Sequence, residues 1–276
     1  MLKTRIITAI ALLAVLLPVL YFANPIAFAV VVTLFFGAAV WEGFRLFNPA
    51  SKQALLISVA WTSAFCYAFF FAAQQRPLFW FAISGLIWLL RFVPSLKIGL
   101  PPLDSAGNTM LSLTYAIAIV ACFAAIVTLF RHSPLYLLSV MALVWIADIG
   151  AYCAGKAFGK HKLAPSISPG KSWEGAIGGG VAVLLLATLS ILFGGAALAD
   201  TFAVHVQARL GWAALFAVLL VITAASVVGD LFESQLKRRA GVKDSSKLLP
   251  GHGGVLDRID ALIPVLPLAA LIDTWL

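Results

Sequence analysis

Long apolar runs alternate with short polar punctuation along the whole chain. Nine runs approach the ~20 apolar residues that a membrane helix needs: 5–22, 26–47, 54–73, 78–95, 110–130, 134–154, 174–194, 211–233 and 259–276. The breaks between several of them are turn-forming, as at Asn24-Pro25, Asn48-Pro49, Gln74 to Pro77, Pro101-Pro102 and Ser133-Pro134. Asn, Ser and Pro at such places stop one helix and start the next. The pattern predicts an all-α, polytopic integral membrane protein with about nine transmembrane helices, because hydrocarbon cannot satisfy open backbone groups. The first run follows Lys3 and Arg5 and resembles a signal peptide. Pro25 directly after Asn24, with further spans behind it, favours an uncleaved first helix.

Composition strengthens this picture. The 276 residues are 62% hydrophobic and 11% charged, against ~45–50% and ~25% for a soluble domain. A soluble globule of this size has nowhere to bury so much apolar surface. Soluble enzymes, disordered chains and disulfide-stapled domains are excluded. Cys66, Cys122 and Cys153 have neither metal-ligand nor disulfide spacing and read as small packing residues.

Charge supplies orientation. Numbering the runs and assigning Lys and Arg to alternate ends puts sixteen of the nineteen on one side, leaving Arg76, Arg131 and Arg209 on the other. Basic residues mark the cytoplasmic face, so the N-terminus is expected there. Ten of the sixteen lie in two loops, 155–173 and 234–258. Nucleic acid is not expected as a partner, because these cations sit between membrane spans rather than on an exposed domain.

The acids locate the chemistry. Of eleven, Glu42, Asp104, Asp200 and Asp273 lie near span ends or in loops and call for no special account. Asp148, Glu174, Asp230, Glu233, Asp257 and Asp260 lie in or beside predicted helices around the two basic loops. A carboxylate within a span costs about 2.5–3.5 kcal/mol on insertion scales and is retained when paired, hydrated or bound to a cation. A polar cavity is therefore expected in the last four helices, residues 131–276, with residues 1–130 as a scaffold. Asp230, Glu233 and Lys237 fall on one helix face with Ser226. In 250–260, Pro-Gly-His-Gly-Gly-Val-Leu-Asp-Arg-Ile-Asp, a glycine-rich loop enters a helix carrying Asp257 and Asp260. Carboxylates beside Lys and Arg make sense once Mg²⁺ and the phosphates it bridges are included. Gly170-Lys171-Ser172 is not a P-loop, since Pro165 stands where that motif needs glycine and no strand is expected before it.

These residues resemble the phosphatidate cytidylyltransferases, also called CDP-diacylglycerol synthases. The long family signature stands here as Ser234, Leu236, Lys237, Arg238, Lys243, Asp244, Ser246, Leu249, Pro250, His252, Gly253, Gly254, Val255, Asp257, Arg258, Ile259 and Asp260. An upstream pattern stands as Asp148, Ala151, Tyr152, Gly155, then Ser168, Pro169, Lys171, Ser172, Glu174 and Gly175, with Ser172 replacing the commoner Thr. The resemblance covers 148–260 and implies CTP + phosphatidate → CDP-diacylglycerol + pyrophosphate. It also implies Mg²⁺, with a second cation as an option, and a homodimer in the bacterial inner membrane with its site open to the cytoplasm. On this reading Asp230, Asp257 and Asp260 hold the metal, and Lys237, Arg238, Lys243 and Arg258 hold phosphates. Asp244 and His252 complete the catalytic set. Ser168, Lys171, Ser172, Ser234, Gly253 and Gly254 contact substrate, while Asp148, Glu174 and Glu233 orient basic groups or a second cation. Two other classes fit the same acids: a CTP-dependent membrane lipid kinase and an ion-coupled transporter. Label from the α-phosphate of CTP reaches lipid only in the first reading.

Overall fold

A computed structural model describes residues 2–49, 51–72 and 77–276, and within the first helix it describes the side chains of Ile7, Thr8 and residues 10–21. The helices are α1 (Leu2–Tyr21), α2 (Pro25–Phe47), α3 (Ala54–Phe71), α4 (Pro77–Ile98), α5 (Ala106–His132), α6 (Pro134–Phe158), α7 (Trp173–Phe193), α8 (Phe202–Arg239), α9 (Leu256–Ile259) and α10 (Leu262–Asp273). Among the described residues, α2 to α8 are long and apolar enough to cross a membrane, and the apolar stretches Ile10–Tyr21 and Leu262–Asp273 are shorter. At ~1.5 Å per residue, the 12 residues of α10 reach only about 18 Å. The ninth expected span is thus a short helix, and its run from Leu262 to Pro267 is buried in protein rather than facing lipid. Arg76, one of the three cations assigned to the minority side, lies outside the described residues.

The polar punctuation read from the sequence does the work of capping. The Asn24 side chain accepts from Ile26 N and Ala27 N, both at 3.0 Å, with Pro25 opening α2. Ser105, Ser133 and Ser172 cap α5, α6 and α7 in the same way. Each hydroxyl satisfies an N–H that the first helical turn leaves open. Within α4, the turn Trp88–Phe92 widens to a π-helix just before Pro94. Proline has no N–H for the carbonyl four residues back, and the wider turn absorbs that loss.

α5 runs through the centre of the bundle, with 67% of its most apolar stretch buried. Tyr115 on this helix packs with Phe92 and Phe232. α6 and α7 lie closest together. A Cβ on Gly178 would strike Ala154 Cβ, and one on Gly179 would meet the Ala147 carbonyl at 2.6 Å. Gly175 likewise faces the Ala151 carbonyl at 2.9 Å, whereas Gly180 has ordinary space. Small residues substitute here for the hydrophobic drive that lipid cannot supply between helices.

The loop 159–172 is not purely irregular, contrary to expectation. Lys162–Ala164 (β1) and Ser168–Ser172 (β2) form an antiparallel hairpin, pairing Lys162 with Ser172 and Ala164 with Ser168. This hairpin, the ends of α2, α4 and α8, and the loop 240–255 gather at one end of the bundle. Gln235 Nε2 donates to the Ser95 carbonyl at 2.9 Å, Arg239 to that of Pro101 at 2.9 Å and Arg238 Nε to that of Ile167 at 3.4 Å. The Tyr136 hydroxyl donates to Asp273 Oδ1 at 2.6 Å at the opposite end.

Gly178→Leu should force α6 and α7 apart, costing about 1–3 kcal/mol and lowering the melting temperature in detergent by several degrees. Gly180→Ala, with its nearest atom at 3.7 Å, should leave it unchanged or slightly raised.

Candidate active site

Two buried carboxylates fold the loop that precedes α9. Glu42, from α2, is fully buried. Its Oε1 accepts from Ser246 Oγ at 2.6 Å and Val255 N at 3.1 Å. Its Oε2 accepts from Leu256 N at 2.6 Å and Ser245 Oγ at 3.0 Å. Asp257 closes the loop from the other side. Its Oδ2 accepts from Ser245 N and Gly254 N, each at 2.8 Å, and shares the single Ser245 Oγ proton with Glu42, while its Oδ1 accepts from Lys237 Nζ at 2.6 Å. Burial by itself would push the Asp257 carboxyl up; Lys237 and the N–H groups of Gly254 and Ser245 overcome it and hold the group below the usual carboxylate value. The glycines of the signature follow from this crowding. Gly253 sits at φ 85°, and a Cβ on Gly254 would collide with Ser245 Oγ and the Glu42 carboxylate.

A second set of acids lies deeper. Asp148 and Asp230 stand ten and nine residues before the ends of α6 and α8, about 14–15 Å along those helices. Lys171 Nζ, from β2, reaches Asp230 Oδ2 at 2.5 Å, and Ser234 Oγ donates to Asp230 Oδ1 at 3.2 Å. Lys237 Nζ lies 2.5 Å from Glu233 Oε2. Asp230 faces Asp148 and Asp260 as a like charge, and Asp260 and Glu233 lie close enough to share a hydrogen bond. Glu233 Oε1 is buried without a hydrogen-bond donor. Four acids thus converge with two lysines among them.

An apolar cavity of about 560 Å³ ends on these groups. Side chains of α1, α2, α5 and α6, among them Leu16, Phe35, Phe123 and Val144, form its length. Asp148, His252, Asp257, Arg258 and Asp260 form its polar end. His252 Nδ1 is buried there without a partner.

The expected site residues are placed as follows. Asp257 takes Lys237 on Oδ1 and Ser245 and Gly254 on Oδ2, whereas Asp230 takes Lys171 and Ser234, and Asp257 and Asp260 line the same cavity end. Lys237, half-buried, is ion-paired with both Glu233 and Asp257. Glu174 closes the hairpin, accepting from Lys160 N at 3.1 Å, His161 N at 3.2 Å and His161 Nδ1 at 2.6 Å. Ser172 caps α7, with Gly170 and Lys171 beside it inside β2. Arg238, Lys243, Asp244 and Arg258 are exposed, and Ser168 begins β2. Glu42 was missed: its place near a span end hid its four donors. A lone acid in an otherwise apolar helix, 26–47, was the available signal. Glu42 and the cavity walls also bring residues 1–130 into the site. Among the described residues, the group of three or more His, Cys or acidic side chains with ligand atoms within 4.8 Å of one another is His132, Asp200 and His205, at the opposite end.

Comparison with known proteins agrees with this architecture. The profile of the cytidylyltransferase family matches residues 3–275, and the chain belongs to that family. It is 35% identical to the phosphatidate cytidylyltransferase of Haemophilus influenzae over 293 residues, covering 97% of this chain and 96% of the relative. It is 37% identical to that of Pseudomonas aeruginosa over 283 residues, covering 98% and 96%. A phosphatidate cytidylyltransferase of Staphylococcus aureus (strain COL) matches at 44% over 133 residues, 48% of this chain and 46% of the relative. The chain is therefore a membrane-embedded nucleotidyltransferase.

Glu42→Gln removes the charge that holds four donors, where charge-assisted bonds contribute about 1.5–3 kcal/mol each. Amide exchange at Val255 and Leu256 should accelerate at least tenfold, with insertion into membranes unchanged. Asp257 adds a pH dependence of known sign. Its stabilisation of the loop is complete above the ordinary carboxylate pKa and is lost as pH falls through its depressed folded value. Loop protection should hold across neutral pH and fail only under acid, as followed by proteolysis of 243–256.

Proposed function

We propose that this chain transfers the cytidylyl group of CTP to phosphatidate, releasing CDP-diacylglycerol and pyrophosphate. The observation that carries the reading is the cavity, which is apolar along its length and charged at one end. Such a shape suits a molecule with acyl chains and a phosphate head. The full-length similarity to two phosphatidate cytidylyltransferases supports the same substrates.

In this reading an oxygen of the phosphatidate phosphate attacks the α-phosphorus of CTP. The bond from that phosphorus to its bridging oxygen breaks, and pyrophosphate leaves. The attacking group is already anionic, so the protein supplies position and charge rather than a covalent intermediate. Arg258 and the unpartnered His252 Nδ1 hold the lipid phosphate at the cavity's polar end. Lys171, tethered to Asp230, together with exposed Arg238 and Lys243, receives the triphosphate from the aqueous side. Lys237, Asp257 and Glu42 keep the glycine loop in shape beneath both substrates. The donor set suits a hard divalent cation such as Mg²⁺, since its members are carboxylates and Glu233 Oε1 is an orphaned buried acceptor. Asp230, Asp260 and Glu233 would hold it, with Asp148 available for a second ion. Such an ion would supply neutralisation of phosphate charge at these residues. The same reading puts the site and the N-terminus on the cytoplasmic face of a bacterial inner membrane, on the evidence of the basic loops. It also takes the enzyme to be a homodimer.

The test is incubation of purified protein with phosphatidate, Mg²⁺ and α-labelled CTP, followed by lipid extraction. Label should enter lipid with equimolar pyrophosphate. Label remaining in water as CDP with phosphorylated lipid would instead indicate a kinase, and CTP left unconsumed a transporter. Asp230→Asn should reduce transfer by about a hundredfold or more with the loop intact to protease. Asp257→Asn should lose both transfer and loop protection. Turnover at an undiminished rate after chelation would overturn the metal assignment.

A further inference from the structure

We propose that His132, Asp200 and His205 form a second metal site, for a borderline d-block divalent ion of the zinc type, at the end of the bundle away from the reaction centre. His132 is the last residue of α5, Asp200 lies in the linker between α7 and α8, and His205 is in the first turn of α8. Both imidazoles present Nε2 to the same oxygen: His132 Nε2 is 3.1 Å and His205 Nε2 3.2 Å from Asp200 Oδ1. All three ligand atoms lie within 4.8 Å of one another. Bonds of about 2.0–2.2 Å at a tetrahedral angle put ligand atoms roughly 3.3–3.5 Å apart. The two measured edges sit just below that span.

The surroundings hold the three groups in place. Ser133 Oγ donates to Asp200 Oδ2, which orients the carboxylate and directs Oδ1 to the histidines. The Tyr136 ring stacks on His132, centroids 4.0 Å apart and 15° from parallel, and meets His205 edge-on at 5.3 Å. Its hydroxyl is fixed in turn by Asp273. Phe202 N donates to Ser139 Oγ at 3.0 Å, pinning the start of α8 to α6. Ligands oriented by neighbours in this way characterise built metal sites.

Ligand chemistry selects the ion. Two imidazoles and one carboxylate favour Zn²⁺, Co²⁺ or Ni²⁺ over Mg²⁺, which keeps to oxygen. The cluster is partly exposed, so water can complete the coordination. A role in cytidylyl transfer is not implied. Asp230 lies nineteen residues beyond the break in α8 at Gly211 (φ 82°), about 28 Å along the helix. The ion instead acts as a staple. The segment 202–210 precedes that break, and the metal fixes it to the ends of α5 and α6.

The experiment uses the full chain, purified in detergent, stripped of metal and titrated with Co²⁺, whose visible absorption reports four-coordination. One equivalent should bind with a tetrahedral spectrum and be displaced by Zn²⁺. Zn²⁺ at about 100 times its dissociation constant should raise the melting temperature by roughly 5 °C. His132→Ala and His205→Ala should each weaken binding at least tenfold with Mg²⁺-dependent transfer unchanged. Asp230→Asn should keep the Co²⁺ signal, which separates this site from the catalytic acids. If a histidine variant fails to fold, the wild-type spectrum decides: octahedral or absent absorption overturns the proposal. Tetrahedral absorption that persists in both folded histidine variants overturns it equally.

Discussion

A fully buried carboxylate with four donors is the constraint on which the reactive end of this molecule depends. Glu42 sits on a membrane helix, where an unpaired charge would be costly. Ser245, Ser246, Val255 and Leu256 meet that charge with hydroxyls and backbone N–H groups. The loop in return acquires a shape that its own sequence does not specify. It has one isolated strand-like bridge, between Leu249 and Gly253, and a few local turns such as Leu248 N to Ser246 Oγ, with Glu42 and Asp257 as its buried templates. Lys237 links this arrangement to α8 by balancing Asp257 and Glu233 together.

The acids therefore divide by occupancy. Glu42 and Asp257 are filled with internal donors and set geometry. Asp230 and Glu233 are instead balanced by lysines, and one oxygen, Glu233 Oε1, is buried without a donor among them. The division matches a phosphoryl-type transfer, where rigid placement and charge neutralisation dominate. The apolar cavity completes it: one wall is the first half of the chain, and the floor is the signature of the second half. Catalytic apparatus and scaffold are not separable halves here. α2 contributes both a cavity wall and the loop's central acceptor.

The far end of the bundle uses related physics for a different purpose. Asp200 draws two imidazoles and a serine hydroxyl together where three helix ends meet. Those residues are unremarkable in the linear chain: a histidine beside Ser-Pro, an aspartate in a linker, another histidine near a helix start. Packing of α6 beneath them, through Tyr136 and Ser139, makes them a cluster.

Hydropathy alone determined the membrane class and the seven long helices, because lipid leaves few ways to satisfy a backbone, and the polar breaks at Asn24 and Ser133 marked two of their caps. Intramembrane charge alone pointed to residues 148–260, because carboxylates there require a reason. Tertiary structure decided which acid does what. Asp257 read like Asp230 in the sequence, yet one is enclosed by donors and the other is paired with a lysine from the hairpin. Glu42 read as a span-end acid, yet it organises a loop more than two hundred residues away. A side chain's charge and helical face are properties of the local chain, but its partners come from distant segments, and only the folded chain sets which donors reach it.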